Sequence, residues 1–422
     1  MGWPGLDNDQ LKEDKKDHVK GCFDYSLENS SITKAGDKIF PKRIVGFALI
    51  LADSFITEMK KLLFGFCMIS FVAQGQINDW FIPTLDSVFN SFFKPGEPGG
   101  AVLIARGNHV IYQKGFGIAD VNTKETISTK TLFNIGSVSK TFVAYGILDL
   151  VQKNKLSLEN DLSTYFPDFK NPAIAQEVKL YHLLTHTSGL PDSRKVKEEH
   201  DFYLTAKDEE NWAPIKQTDS LEFEPGTRYK YSNPAFNGLA IIIEKVTGRK
   251  WQEYIIKHIF KPSGMKVSTI TDGPHPRTGV SHGYVLNDKN EFEEMDYGEE
   301  ATFAAAGNGG VWSNVEELWQ YEKAIRKNLF LNREWIDISR IVYPFPEWKD
   351  GVPSRLGLSW FITKEAGLEM IGHTGSQGGF VSDYLWVPDK NIFYVLLCNF
   401  PKPIKEIRGK LFESLQKVNW LE

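Results

Sequence analysis

"TLFNIGSVSKTFVAYGILDL", residues 131–150, places Ser137 three residues before Lys140 at the start of an apolar helical run. At i and i+3 of a helix the two side chains share a face, so the amine can reach the hydroxyl. Taken alone, the pair reads first as a helix cap beside a solvated lysine. The same spacing recurs elsewhere, for example at Ser31/Lys34, Ser263/Lys266 and Ser414/Lys417. A choice among them needs partners from other parts of the chain.

Two short stretches supply those partners. "YKYSNPAFNG" (229–238) contains Tyr231-Ser232-Asn233, and "IGHTGSQGGF" (371–380) contains His373-Thr374-Gly375. In order and rough spacing the three motifs resemble those of the penicillin-recognising serine hydrolases. These include class C β-lactamases, D-alanyl-D-alanine carboxypeptidases, D-aminopeptidases and related esterases. The signature of the wider superfamily is S-x-x-K, S-D-N and K-T-G, so Tyr231 and His373 stand at the first positions of the second and third motifs. The resemblance extends to "LLTHTSGLPD" (183–192), "FEPGTRYKYSN" (223–233) and "GNGGVWSN" (307–314), and covers roughly residues 80–420.

The chemistry explains the residue types. A serine hydroxyl is a weak nucleophile and needs an adjacent base. Lys140 can serve only if its pKa falls well below the reference of about 10.4, which burial and neighbouring positive charge can achieve. Tyr231, with a reference pKa near 10, faces the same demand, and the two titrate as a pair. Which of them is the base in each step stays open.

The resemblance implies the roles. Ser137 attacks a carbonyl and becomes acylated. Lys140 and Tyr231 move its proton, and Tyr231 activates water for deacylation. Asn233 donates to a substrate amide. His373, Thr374 and Gly375 line the cleft on a strand, with Thr374 near a substrate carboxylate. The backbone N–H groups of Ser137 and Ser376 form an oxyanion hole. No metal or organic cofactor is implied, and the partner is a small-molecule or peptide substrate.

Blander readings fit other residues. His182 and His186 have the i,i+4 spacing of zinc ligands, but Leu183 stands where a zinc protease needs glutamate, so packing and hydrogen bonding are expected of them. "GHTGSQGG" approaches a nucleophile elbow at Ser376, yet Thr374 occupies its first glycine position. His373 in place of lysine matters more. With a reference pKa near 6.5 it is only partly charged at neutral pH, so a penicillin carboxylate would lack a permanent cation.

Outside the motifs, apolar residues at Phe81, Leu85, Val88, Phe89 and Phe92 mark a helix. "AVLIARGNHVIYQKGFG" reads as two strands around a Gly-Asn turn. Residues 138–300 read as helix and loop. "WSNVEELWQYEKAI" opens with Ser313 and Glu316 at capping-box spacing. Strands return in "LGLSWFIT", "LEMIGHTG", "FVSDYLWVP" and "IFYVLLCNF", and a helix at about 404–418 closes the chain. The expected fold is α+β: one antiparallel sheet built from both chain ends, flanked by helices, with a helical lobe (about 138–300) inserted, in the β-lactamase/transpeptidase manner.

Composition sets the remaining bounds. The chain has 422 residues, 41% hydrophobic and 24% charged, with a net charge of −5, which is globular and offers no basic footprint for nucleic acid. No apolar run reaches the ~18–20 residues of a membrane span. "MKKLLFGFCMISFVAQGQ" (59–76) has the lysines, apolar run and small-residue site of a secretory signal peptide. Residues 1–58 then form an upstream extension, 59–75 the signal, and 76–422 the hydrolase domain, periplasmic or secreted. Of the three cysteines, Cys22 and Cys67 are lost on processing. Cys398 is left in an apolar strand with no disulfide partner.

The sequence thus points to an exported serine hydrolase working through an acyl-enzyme on a D-amino-acid peptide, small amide or ester. A true class C β-lactamase, or a non-catalytic penicillin-binding sensor module, is the alternative. Oligomeric state is not legible.

Overall fold

The computed structural model describes residues 81–194, 205–270, 279–295, 306–343, 354–365 and 367–421. The upstream extension and the signal peptide expected at 1–58 and 59–75 lie outside the described residues.

The first strands are β1 (Gly100–Arg106) and β2 (His109–Phe116), turning at Gly107, whose φ of +64° suits glycine. Short strands follow at β3 (Phe133–Asn134), β4 (Thr269–Ile270), β5 (Tyr284–Leu286), β6 (Phe292–Glu294) and β7 (Val311–Ser313). The C-terminal strands are β8 (Ser354–Leu356), β9 (Phe361–Glu365), β10 (Leu368–Gln377), β11 (Phe380–Val387) and β12 (Ile392–Cys398). A seven-stranded sheet runs β2-β1-β12-β11-β10-β9-β8 with every pair antiparallel. The two chain ends therefore meet at β1 and β12, with Val102 opposite Leu396. All seven side chains of "IFYVLLC" in β12 are buried, as a central strand covered on both faces requires. Cys398 is among them, and burial pushes its thiol pKa up.

One face of the sheet is covered by the first helix, α1 (residues 81–90), and the last. Phe81, Leu85, Phe89 and Phe93 are spaced by four and fully buried; each such side chain is worth about 1.5–3 kcal/mol. The other face receives the middle of the chain. There α2 (Ser139–Gln152) has thirteen buried residues, Ser139 to Val151, and runs through the interior. Beyond two short helices, Pro172–Glu177 and Leu180–Leu184, come α3 (Asp208–Lys216) and α4 (Asn233–Thr247). The latter is capped by Ser232, which accepts from the Ala235 N–H, and ends at Gly248 with φ +66°. After α5 (Val315–Arg326), the chain closes with α6 (Ile404–Lys417).

The architecture is the α+β layout expected from the sequence. Three details differ. The middle segment also carries the small strands β4, β5 and β6, each too short to show a periodic pattern. "LGLSWFIT" is not one strand: Ser359 adopts φ +70° and separates β8 from β9. The cap of α5 is Asn314, whose Oδ1 accepts from the Glu317 N–H at 2.9 Å, one residue later than the Ser313/Glu316 box. Ser313 belongs to β7, where pairing with Phe133 fixes it in the strand. No helix among the described residues is long and apolar enough to cross a membrane.

Candidate active site

Ser137 lies in a 3-10 turn, Gly136–Val138, that leads directly into α2. Lys140 follows three residues on, in the first turn of α2, on the same side as Ser137. The Lys140 Nζ accordingly stands 3.0 Å from Ser137 Oγ. It also donates to the Asn308 carbonyl at 2.6 Å, which aims the amine. Lys140 is fully buried, and its pKa is held well below the lysine range by that burial and by the positive charge of Arg194. An amine so placed can lose its proton and accept one from the hydroxyl.

The turn is fixed from two sides. Asn134 Nδ2 donates to the Gly309 carbonyl at 3.0 Å while its Oδ1 accepts from the Gly136 N–H at 2.8 Å. Ser139 Oγ accepts from the Val311 N–H at 3.0 Å. On the other side Ser382 Oγ donates to the Ile135 carbonyl at 2.8 Å, across Gly375. A Cβ at Gly375 would run into that carbonyl, so only glycine lets the turn pass so close to β10. Gly136 has φ +51°, and a Cβ there would come within 2.8 Å of the Ser376 nitrogen. The backbones that carry the N–H groups of Ser137 and Ser376 are thereby held next to each other. Strand β9 pairs with β10 only as far as Gly372, which leaves the edge from His373 to Gln377 outside that pairing.

Tyr231 precedes α4, and its ring centroid is 5.2 Å from Lys140 Nζ. His373 approaches from β10 with its ring 6.5 Å from that of Tyr231. The structure thus brings Ser137, Lys140, Tyr231, His373 and the Gly375–Ser376 backbone together. Asn233 opens the first turn of α4, partly buried, with no hydrogen bond to Ser137 or Lys140 among the described residues. Thr374 is exposed and lines a cavity of about 300 Å³ with Asp383, Lys405 and Arg408.

His373 departs from the partly charged imidazole expected from its reference pKa. It is buried at 3% exposure, and burial together with Lys140 takes its pKa down to about 3. Its Nδ1 donates to the Thr374 carbonyl at 2.6 Å, so the neutral ring presents Nε2 as an acceptor. His182 behaves alike: its Nδ1 accepts from the Lys179 N–H at 3.0 Å and its pKa falls to about 4, by burial and Lys179.

Several contributors carry no role in the sequence reading. Asn308 acts through its carbonyl, which any residue could supply, so its side chain gives no signal; only "GNGGVWSN" hinted at it. Arg194 is bound to Asp192 and Asn211 and acts on Lys140 by field alone. Asp208 accepts from the Gly307 N–H at 2.8 Å, from Asn237 Nδ2 at 2.7 Å and from Trp251 Nε1 at 2.8 Å, anchoring the loop that carries Asn308.

Comparison with known proteins places the chain among relatives of one family. A penicillin-binding protein of Bacillus subtilis (strain 168) is 27% identical over 319 residues, which is 70% of this chain and 67% of that protein. A D-aminopeptidase of Cereibacter sphaeroides is 27% identical over 318 residues and 75% of this chain, and the chain spans 58% of that protein's length. The solved D-amino acid amidase from Ochrobactrum anthropi SV3, complexed with L-phenylalanine amide, superposes with a TM-score of 0.68. It covers 82% of this chain and 99% of its own at 21% identity, a likeness of fold. A family model described as Beta-lactamase matches residues 80–413. The chain belongs to the beta-lactamase family and is a hydrolase of that family.

Proposed function

We propose that this chain is an exported serine hydrolase that forms an acyl-enzyme on Ser137, acting on small amides, peptides or esters of D-amino acids. The observation that carries the reading is the 3.0 Å approach of a buried, weakly basic Lys140 amine to Ser137 Oγ. The hydroxyl attacks the substrate carbonyl and its proton passes to the Lys140–Tyr231 pair. The tetrahedral oxyanion is met by the N–H groups of Ser137 and Ser376. The C–N or C–O bond breaks as the leaving group takes the proton back, and the acyl group stays on Ser137. Water, deprotonated by Tyr231 or the pair, then attacks the ester; the Oγ–acyl bond breaks as that proton passes to Ser137 Oγ, and the free hydroxyl is restored. Asn233 donates to the substrate amide, and Thr374 lies near a carboxylate where the substrate carries one.

His373 and one of the relatives support this substrate class. A neutral imidazole gives a penicillin carboxylate no cation, whereas an amine or amide N–H meets an acceptor at Nε2. The D-aminopeptidase relative supports the D-configuration. Export rests on the 59–76 segment, and processing would leave a domain from residue 76 onward. The test is turnover of D- and L-alanine p-nitroanilide and of benzylpenicillin by wild type and Ser137→Ala. The D-anilide should be hydrolysed at least about tenfold faster than the L-form, a difference of ~1.4 kcal/mol, and only by wild type. Equal rates for both enantiomers, or faster penicillin cleavage, would refute the substrate assignment.

A further inference from the structure

Residues 229–232, which include Tyr231, have no helix or strand of their own, so something else must hold the phenol beside Lys140. His186 contacts three consecutive residues of this segment. Its carbonyl accepts from the Lys230 N–H at 2.9 Å. Its Nδ1 accepts from the Ser232 N–H at 3.0 Å. Its ring stacks on Tyr231 with centroids 4.3 Å apart and planes at 30°. Phe236 packs against the imidazole at 5.2 Å, and Tyr229 meets it edge-on at 6.1 Å. His186 is fully buried with φ +55°, a left-handed conformation that histidine adopts more readily than most residues.

We infer that His186 is the positioning residue for Tyr231, gripping the backbone on either side of it and setting its ring plane against Lys140. Because Nδ1 accepts a backbone N–H, the ring proton sits on Nε2 and the imidazole is neutral. Protonation would put a hydrogen where the Ser232 N–H points and break the grip. Burial and the nearby Lys140 and His373 oppose that, and hold the pKa well below the histidine range. The other titratable groups around the ring are Tyr229 and Tyr231. His186 therefore works as a hydrogen-bond acceptor and a stacking plate and takes no proton in the reaction. A bulky aliphatic residue could fill the volume but could not accept the Ser232 N–H.

This inference rests on the catalytic role proposed for Tyr231, and a double-mutant cycle separates the two. His186→Ala removes acceptor and ring; His186→Asn tolerates positive φ and returns an acceptor near the Nδ1 position. Each is made in wild-type and Tyr231→Phe backgrounds. Phosphonate titration counts active sites, so that kcat is expressed per competent molecule. His186→Ala should lower kcat about 10²-fold with KM changed less than about threefold, the cost of a misplaced catalytic group. His186→Asn should recover roughly tenfold of that, through the restored hydrogen bond. In the Tyr231→Phe background, itself strongly impaired, neither substitution should change kcat by more than about twofold. Equal losses in both backgrounds would overturn the inference, as would full activity per titrated site in His186→Ala. Should Tyr231→Phe keep full activity, the role given to Tyr231 fails first and His186 has nothing to position. If His186→Ala yields no folded protein, the comparison of His186→Asn in the two backgrounds decides alone.

Discussion

Burial acts on Lys140 and His373 in the same direction and to different ends. It favours the neutral amine of Lys140, and it takes charge from an imidazole standing where the K-T-G signature has a lysine. The sequence stated the first only as a condition on Lys140 and misled on the second, because sequence does not show how deeply a residue sits. The sign of the pH dependence follows. The folded pKa of His373 lies near 3, below its unfolded value of about 6.5, so the folded imidazole stays neutral across the working range. Stability from that neutral form is present above about pH 6.5 and is lost as pH falls toward 3. For a carboxylate-bearing substrate and its neutral amide analogue, the ratio of kcat/KM values should therefore stay flat from pH 5 to pH 8. A ratio that declines as pH rises through 6 to 7 would show that His373 ionises there and binds the anion as a cation.

Among the elements, the 3-10 turn at Gly136–Val138 and strand β10 act as one unit. Gly136 has positive φ and sits against the Ser376 nitrogen, so an added methyl group strains the backbone and pushes the two N–H donors apart. Gly136→Ala should lower kcat/KM about 10²-fold, comparable to losing one oxyanion donor. Thermal stability should fall by about 1–3 kcal/mol, the range for a strained backbone position. Kinetics and a melting curve on the same preparation check both, and a variant with unchanged kcat/KM would contradict the role given to the turn. The long strands were legible because alternation and buried runs extend over seven or more residues in β1, β10, β11 and β12. Strands of two or three residues were not. The α5 cap was misplaced by one position because "WSNVEE" offers both Ser313 and Asn314, and only the pairing of β7 removes the serine from contention.

At the scale of the whole molecule, the antiparallel sheet closes the two chain ends against each other, and the helical lobe lies across its inner face. That topology brings residues 137–140, 231 and 373–376 to one place, although more than two hundred positions separate the first from the last. The order of the three motifs was readable, and with it the family and the fold. The supports were not: the Asn308 carbonyl, the Asp208 anchor and the His186 clamp act through backbone groups or across long sequence separations. The central claim is that this convergence makes Ser137, and no other serine, an acylated nucleophile. Its most direct measurement is labelling with a fluorophosphonate, read by intact mass and peptide mapping in wild type and Ser137→Ala. The account predicts one adduct per chain, on the peptide carrying Ser137, and none in the variant. An adduct on Ser376, or labelling that survives Ser137→Ala, would contradict it.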